Sequence, residues 1–275
     1  MQRVYVMAEI GINHNGSMVM AKRLIEAAKE AGCDAVKFQK RTVEAVYTPD
    51  ELARPRESVF GATNGDLKRG LEFSYAQYTE LADYSRARAL DCSASCWDRG
   101  SVLAMAELGV PWLKVPSALI TDIPLLGVYR ETGIPVILST GMSTEWEVDQ
   151  AVRFFGSASL YALLHCHSAY PSPIEELNLS YLERLREDYP CPIGYSSHTV
   201  SPWPCLMAVG MGARVVEFHL TLDRTLWGSD QAASLEPKAA QKLVEEIRTF
   251  ERAYGDGVKR VMPSEVPIQA KLRRV

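Results

Sequence analysis

The sequence predicts a single-domain (β/α)8 barrel on three observations. Eight short apolar runs alternate with amphipathic stretches of helical period, the order that closes a parallel sheet on itself. Four segments, AGCDAVKFQ, LGVPWLKVPS, TGIPVILSTG and MGARVVEFHLT, share one plan. Each leaves a helix at glycine, crosses a short turn, runs through apolar residues and finishes on polar ones, as a strand buried on both faces should. Polar side chains also recur at the C-terminal ends of the runs, where the active sites of such barrels gather. A doubly wound open sheet is the alternative, but it asks for a GxGxxG turn after the first strand, and the sequence there reads GINHNG.

In chain order, Val4–Ile10 is the first strand and Met18–Ala31 the first helix, stopped by Gly32. Ala35–Gln39 is the second strand, and the polar stretch Pro49–Asp66 reads as a long loop. Ser74 caps a helix to Ala89, Leu90–Ser95 is the third strand, and Asp98–Leu108 is a helix. Trp112–Val115, the helix Ile123–Glu131, Pro135–Leu138 and the Thr144-capped helix to Phe155 follow. Leu160–His165, Pro192–Tyr195 and Arg214–His219 are the last strands. The helices Ser180–Asp188 and Pro202–Met211 lie between them, and Pro237 opens the final helix to Arg252.

A chain of 275 residues suffices for one large barrel. With 47% hydrophobic and 23% charged residues and a net charge of −4, it carries no basic surplus for a nucleic acid. No apolar run is long enough to span a bilayer and MQRVYVMAEIG lacks a signal-peptide layout, so a cytoplasmic location is expected. The six cysteines are scattered without a CxxC pair and read as reduced, buried thiols; Cys166, inside a polar motif, reads as a packing residue.

The polar strand ends hold the candidate chemistry. Lys37 and Lys114 sit in apolar strands, where an unpaired ammonium is costly, and an anionic ligand would remove that cost. With Ser95, Ser117 and Ser139 they read as a phosphate or carboxylate cradle; the alternatives are ion pairs inside the barrel, or a Schiff-base lysine. His198 and His219 end neighbouring strands, and two imidazoles with a glutamate or water suit a divalent ion. Glu9 is a candidate base, or an ion-pair partner of Lys37. His165 and His167 flank Cys166 and are expected to divide between the two faces of the strand, at most one reaching the mouth. His14 reads as a supporting residue.

The motifs EIGINHNG, VKFQ, KVPS, ILSTGMST, LLHCHSAYPSP, GYSSHT and VEFHLT, with PSE and RR near the end, occur in an order that resembles the sialic acid synthase family. The resemblance implies an enzyme that condenses phosphoenolpyruvate with the aldehyde of an N-acylated aminosugar, releasing phosphate by C–O cleavage. It implies a divalent metal, manganese or magnesium, held by His198 and His219 to polarise the aldehyde. The phosphoenolpyruvate contacts it implies fall on Lys37, Ser95, Lys114, Ser117, Ser139, Ser168, Tyr170 and Ser196, the essential carboxylate on Glu9, and sugar contacts on Gln39 and Asp230. Ser95 stands where the family usually has threonine.

Three departures bear on the acceptor. Leu119 replaces a sugar-contacting glutamate, and Ser197 replaces the aspartate of an SDHT motif. The sequence stops at Leu272-Arg273-Arg274-Val275, where the family continues into an antifreeze-like domain that reaches across a dimer. A barrel without that domain, a nonstandard or smaller aldose acceptor, a homodimer and a separate antifreeze-like partner chain are the corresponding expectations. A Schiff-base aldolase and a non-catalytic sugar- or phosphate-binding barrel are the competing ones.

Overall fold

The computed structural model describes residues 3–156 and 159–274. The strands are β1 (Tyr5–Gly11), β2 (Ala35–Lys40), β3 (Pro55–Ser58), β4 (Gly61–Thr63), β5 (Asp91–Cys96), β6 (Leu113–Val115), β7 (Val136–Ser139), β8 (Leu160–Cys166), β9 (Ile193–Ser197) and β10 (Val215–His219). Eight of them close a parallel barrel in the order β1-β10-β9-β8-β7-β6-β5-β2, and β3 and β4 form a separate antiparallel hairpin. The eight-strand alternation read from the sequence is therefore the observed architecture. The repeat glycines Gly32, Gly109, Gly133 and Gly212 all follow helix ends at positive φ, a conformation that a side chain would strain.

The stretch expected to be a loop, residues 49–66, is instead structured. It holds a helix (Pro49–Ala53), the β3–β4 hairpin and the start of a second helix (Asn64–Leu71). Its polar residues are caps: Thr48 with Glu51, and Thr63 with Asp66, each form a reciprocal capping box. The polarity that suggests a loop is the signature of two helix starts in quick succession.

Apolar side chains fill two spaces. One lies between the strands and the surrounding helices and runs the length of the chain, from Val4 to Ile247. The other is the floor of the barrel, where Met7, Ala35, Trp112, Ile137, Ala162, Leu164 and Val215 pack together. Because side chains alternate across a strand, the next inward position is two residues on. From Met7, Ala35, Trp112 and Val215 that step leads to Glu9, Lys37, Lys114 and Glu217, so the pleat stacks an ionic layer directly on an apolar floor.

Candidate active site

The register decides which charges meet. Glu9 lies opposite both Lys37 on β2 and His219 on β10, and Ser95 lies opposite Lys114. All four ionic side chains of the layer are almost wholly buried. Lys37 Nζ is 2.6 Å from Glu9 Oε2, 3.8 Å from Glu217 Oε1, and donates to Ser95 Oγ at 2.7 Å. Lys114 Nζ donates to Glu217 Oε2 at 2.8 Å. Gln39 Nε2 donates to Glu9 Oε1 at 3.0 Å and Ser196 Oγ to Glu217 Oε1 at 3.2 Å.

The two lysines thus meet two carboxylates, the ion-pair alternative that the sequence leaves open. Burial alone would discharge Lys37, but Glu217 and Glu9 outweigh it and raise its pKa. Burial alone would likewise protonate Glu217, yet Lys114 and Lys37 hold it well below the usual carboxylate range. Glu217, which is not among the candidates read from the sequence, is the bridge between both lysines. Its signal was legible: it sits two residues before His219 and so shares that residue's inward face.

Above this layer is the mouth. His198 Nδ1 donates to the His167 carbonyl at 2.5 Å, which leaves the Nε2 lone pair to accept from the Tyr170 hydroxyl at 2.7 Å. Tyr170 stacks on His198 with ring centroids 4.0 Å apart. Burial, then the neighbouring His219, push His198 down to about 3 and keep it neutral. The centroids of His198 and His219 are 5.3 Å apart. His219 Nδ1 is buried without a hydrogen-bond partner, and Asp230 Oδ2 is 3.7 Å away.

Among the described residues, no group of three or more His, Cys, Asp or Glu is arranged as a ready-made metal site. The histidine pair nevertheless fits an ion that completes its shell with water or substrate. His198 is neutral, its tautomer is fixed by a backbone carbonyl, and its Nε2 lone pair is shared only with the Tyr170 hydroxyl, which an ion could displace.

The ionic layer and the mouth enclose a cavity of about 150 Å³. Every site residue expected from the sequence lines it except Asp230, which lies beside His219. Ser139 Oγ is buried there with no partner, a hydroxyl left for a ligand. Gly141 N donates to Ser117 Oγ at 3.0 Å, and a Cβ on Gly141 would come within 2.2 Å of Ser168 Oγ. The side chains therefore crowd close around Gly141, and a Cβ there would have to displace them.

Some expectations change. Cys166 is a lining residue rather than remote packing, with Sγ 3.1 Å from Ser117 Oγ. Residues two apart on a strand share a face, so His165 and His167 do not divide between the two sides; Cys166 between them faces in. His165 Nε2 meets the Leu177 carbonyl at 2.7 Å, and His167 Nε2 lies 3.1 Å from Glu176. Leu119 packs against the outer core and Ser197 Oγ bonds Thr199 Oγ1 at 3.0 Å; neither lines the cavity. His14 is a supporting residue, stacked on Phe73 with centroids 4.2 Å apart. Trp97 is a lining residue that the sequence did not single out; the Arg41 guanidinium lies 4.4 Å from its ring centre. Among the described residues, no helix is long and apolar enough to cross a membrane.

Comparison with known proteins adds a second line. The model of the NeuB family matches residues 24–259. The chain is 39% identical over 272 residues to the N-acetylneuraminate-9-phosphate synthase of Mus musculus, covering 98% of this chain and 76% of that protein. It is 36% identical over 284 residues to the N,N'-diacetyllegionaminic acid synthase of Legionella pneumophila, covering 98% and 78%. The N-acetylneuraminic acid synthetase structure from Leptospira borgpetersenii superposes with a TM-score of 0.86 at 32% identity, over 100% of this chain and 94% of that one. A truncated 3-deoxy-D-arabino-heptulosonate 7-phosphate synthase from Thermotoga maritima, at 14% identity and TM-score 0.69, shares the fold.

Proposed function

Because the chain belongs to the NeuB family, we propose that it is a sialic acid synthase-like enzyme. It joins phosphoenolpyruvate to the aldehyde of an N-acylated aminosugar and yields a 2-keto-3-deoxy sugar acid and phosphate. The observation that carries this reading is the buried lysine pair at the base of the histidine mouth, Lys37 and Lys114, with a ring of serine hydroxyls in the same cavity. Relatives that are named as nonulosonate synthases support the product class.

Lys37 and Lys114 hold the anionic groups of phosphoenolpyruvate, and Ser95, Ser117, Ser139, Ser168 and Ser196 donate to its oxygens. Gln39 and Asp230 flank the acceptor side. C3 of phosphoenolpyruvate forms the new bond to the aldehyde carbon, whose oxygen takes a proton and becomes a hydroxyl. Water adds at C2, Glu9 takes its proton, and the C2–O bond to phosphate breaks to leave the ketone. The two protons of water end on the new hydroxyl and on phosphate, so the reaction balances without a redox partner. A divalent ion on His198 and His219 would supply Lewis-acid polarisation of the aldehyde. Tyr170, whose hydroxyl now occupies the His198 lone pair, reorients toward phosphoenolpyruvate.

A Schiff-base aldolase needs a neutral amine, and Lys37 is held protonated by two carboxylates. Incubation with phosphoenolpyruvate, aldoses and Mn²⁺ tests the reading. Phosphate release matched by a product of summed mass, abolished by chelator, is expected. Borohydride trapping of pyruvate on a lysine, insensitive to chelator, would replace it with the aldolase.

A further inference from the structure

The cavity holds one nucleophilic group that the chemistry above does not use, the buried Cys166 thiol. It stands where three consecutive strand ends meet: Ser117 follows β6, Gly141 follows β7 and Cys166 closes β8. The backbone fixes this meeting. Thr140 donates to the Leu164 carbonyl through both its amide, at 3.0 Å, and its hydroxyl, at 3.2 Å, which pins the chain beside Gly141 to β8. A Cβ on Gly141 would come within 2.7 Å of Cys166 Sγ and 2.9 Å of Ser117 Oγ. Without one, sulfur and oxygen approach to 3.1 Å, a hydrogen bond in which either can donate.

Two hydroxyls of the cradle are therefore in different states. Ser139 Oγ is buried with no partner, so its proton and both lone pairs are free. Ser117 Oγ accepts from Gly141 N at 3.0 Å, which fills one of its two lone pairs. If Ser117 donates to sulfur, its proton is spent and it offers an anion only a lone pair. If Cys166 donates to Ser117, the second lone pair is filled and the Ser117 proton is left for the cavity. Sulfur is a weak acceptor, whereas a hydrogen bond to an ionised oxygen is about twice as strong as a neutral one, so an anion in the cradle selects the second arrangement. The thiol has a proton to give. Burial raises its pKa against the lowering pulls of Ser117, Lys114 and the Gly141 amide.

We propose that Cys166 is a positioning residue: its S–H donates to Ser117 Oγ and turns the Ser117 hydroxyl proton onto an oxygen of the bound anion. The proposal rests on the reading of this cavity as a phosphoenolpyruvate cradle. Ser117 then has no lone pair to spare. It serves a bare phosphate or carboxylate oxygen and offers nothing to a ligand group that must donate. Ser139 makes no such distinction.

The test is calorimetric titration of phosphoenolpyruvate into the full-length protein with Mn²⁺. C166A should weaken binding by about fivefold, the scale of one hydrogen bond, while C166S, which keeps a donor, should stay within about twofold of the wild type. A packing role would leave alanine and serine, which are close in size, alike. In an S117A background C166A should cost nothing more, because the thiol acts through that hydroxyl; in S139A its loss should persist in full. C166S as weak as C166A, or a C166A loss that survives in S117A, overturns the proposal. Difference infrared spectroscopy of the wild type reads the same bond without an alanine variant. One S–H stretching band should move to lower wavenumber when phosphoenolpyruvate binds, and C166S should lack that change. S–H bands that do not move overturn the proposal. The predicted binding pattern in a protein that releases no phosphate from phosphoenolpyruvate and N-acetylmannosamine would contradict the condensation reading and leave Cys166 its role. Turnover with C166A and C166S alike would remove the role of Cys166 alone, and a wild type that binds no phosphoenolpyruvate would overturn both.

Discussion

The floor of the barrel and the layer above it are made from the same strands at positions two residues apart, and they do opposite things. The floor is apolar, closed, and satisfied by itself: Trp112 is fully buried, and its Nε1 donates to the Tyr5 hydroxyl at 3.0 Å. The layer above is ionic and equally buried, but several of its groups and those just over it lack a partner, among them Ser139 Oγ and His219 Nδ1. One pleat separates a self-satisfied apolar floor from a layer bordered by buried polar groups without partners. A substitution in the floor should therefore be read in stability, and one in the layer in turnover.

The sharpest separation comes from Lys37→Met. It removes the ammonium from Glu9, Glu217 and Ser95, and kcat/KM should fall by about three orders of magnitude, the scale of losing a preorganised charge. Two carboxylates are left without that partner, so stability should also fall, by roughly 3–5 kcal/mol in a denaturant titration. K37M/E9Q should recover part of that stability and none of the turnover; recovery of turnover would show that the layer is structural. Trp112→Ala breaks the comparison from the other side. It should cost about 3–5 kcal/mol of stability while the folded fraction keeps its kcat within a few-fold.

Gly141→Ala should act on the cradle without touching a charge. Its Cβ would press on Ser168 Oγ, Cys166 Sγ and Ser117 Oγ, so KM for phosphoenolpyruvate should rise by about tenfold, near the cost of one displaced hydrogen bond. The smallest effect is a pH dependence away from both layers. Burial pushes His14 down to about 3, so the unfolded chain binds a proton that the folded one refuses. The stability this contributes is present above the ordinary histidine range and is lost as pH falls from about 6.5 toward 3. Denaturant midpoints measured from pH 7 to 5 should show a loss of roughly 1–2 kcal/mol from this group, and His14→Asn should flatten the slope by one proton.

The fold was legible because its signal is periodic. Helix-ending glycines and apolar runs repeat along the chain, and each repeat corrects the others. The 49–66 segment was not, because capping boxes and loops draw on the same polar residues, and no periodic run is long enough to tell them apart. In the site, strand ends gave Lys37, Lys114, His198 and His219 directly, because a barrel gathers those ends in one place. Glu217 and Cys166 needed the pleat as well as the strand, and Trp97 needed the packing of distant loops, which no local pattern encodes. The same test of facing shows that Leu119 and Ser197 lie off the cavity.

The central claim is that the ionic layer holds phosphoenolpyruvate while a carbon–carbon bond forms and its phosphate leaves by C–O cleavage. Phosphoenolpyruvate carrying ¹⁸O in the bridging position, incubated with Mn²⁺ and the acceptor, tests this by mass spectrometry of both products. The label should appear wholly in the released phosphate, alongside a 2-keto-3-deoxy acid free of it. Label retained in the keto acid, or phosphate released without any condensed product, would contradict the account.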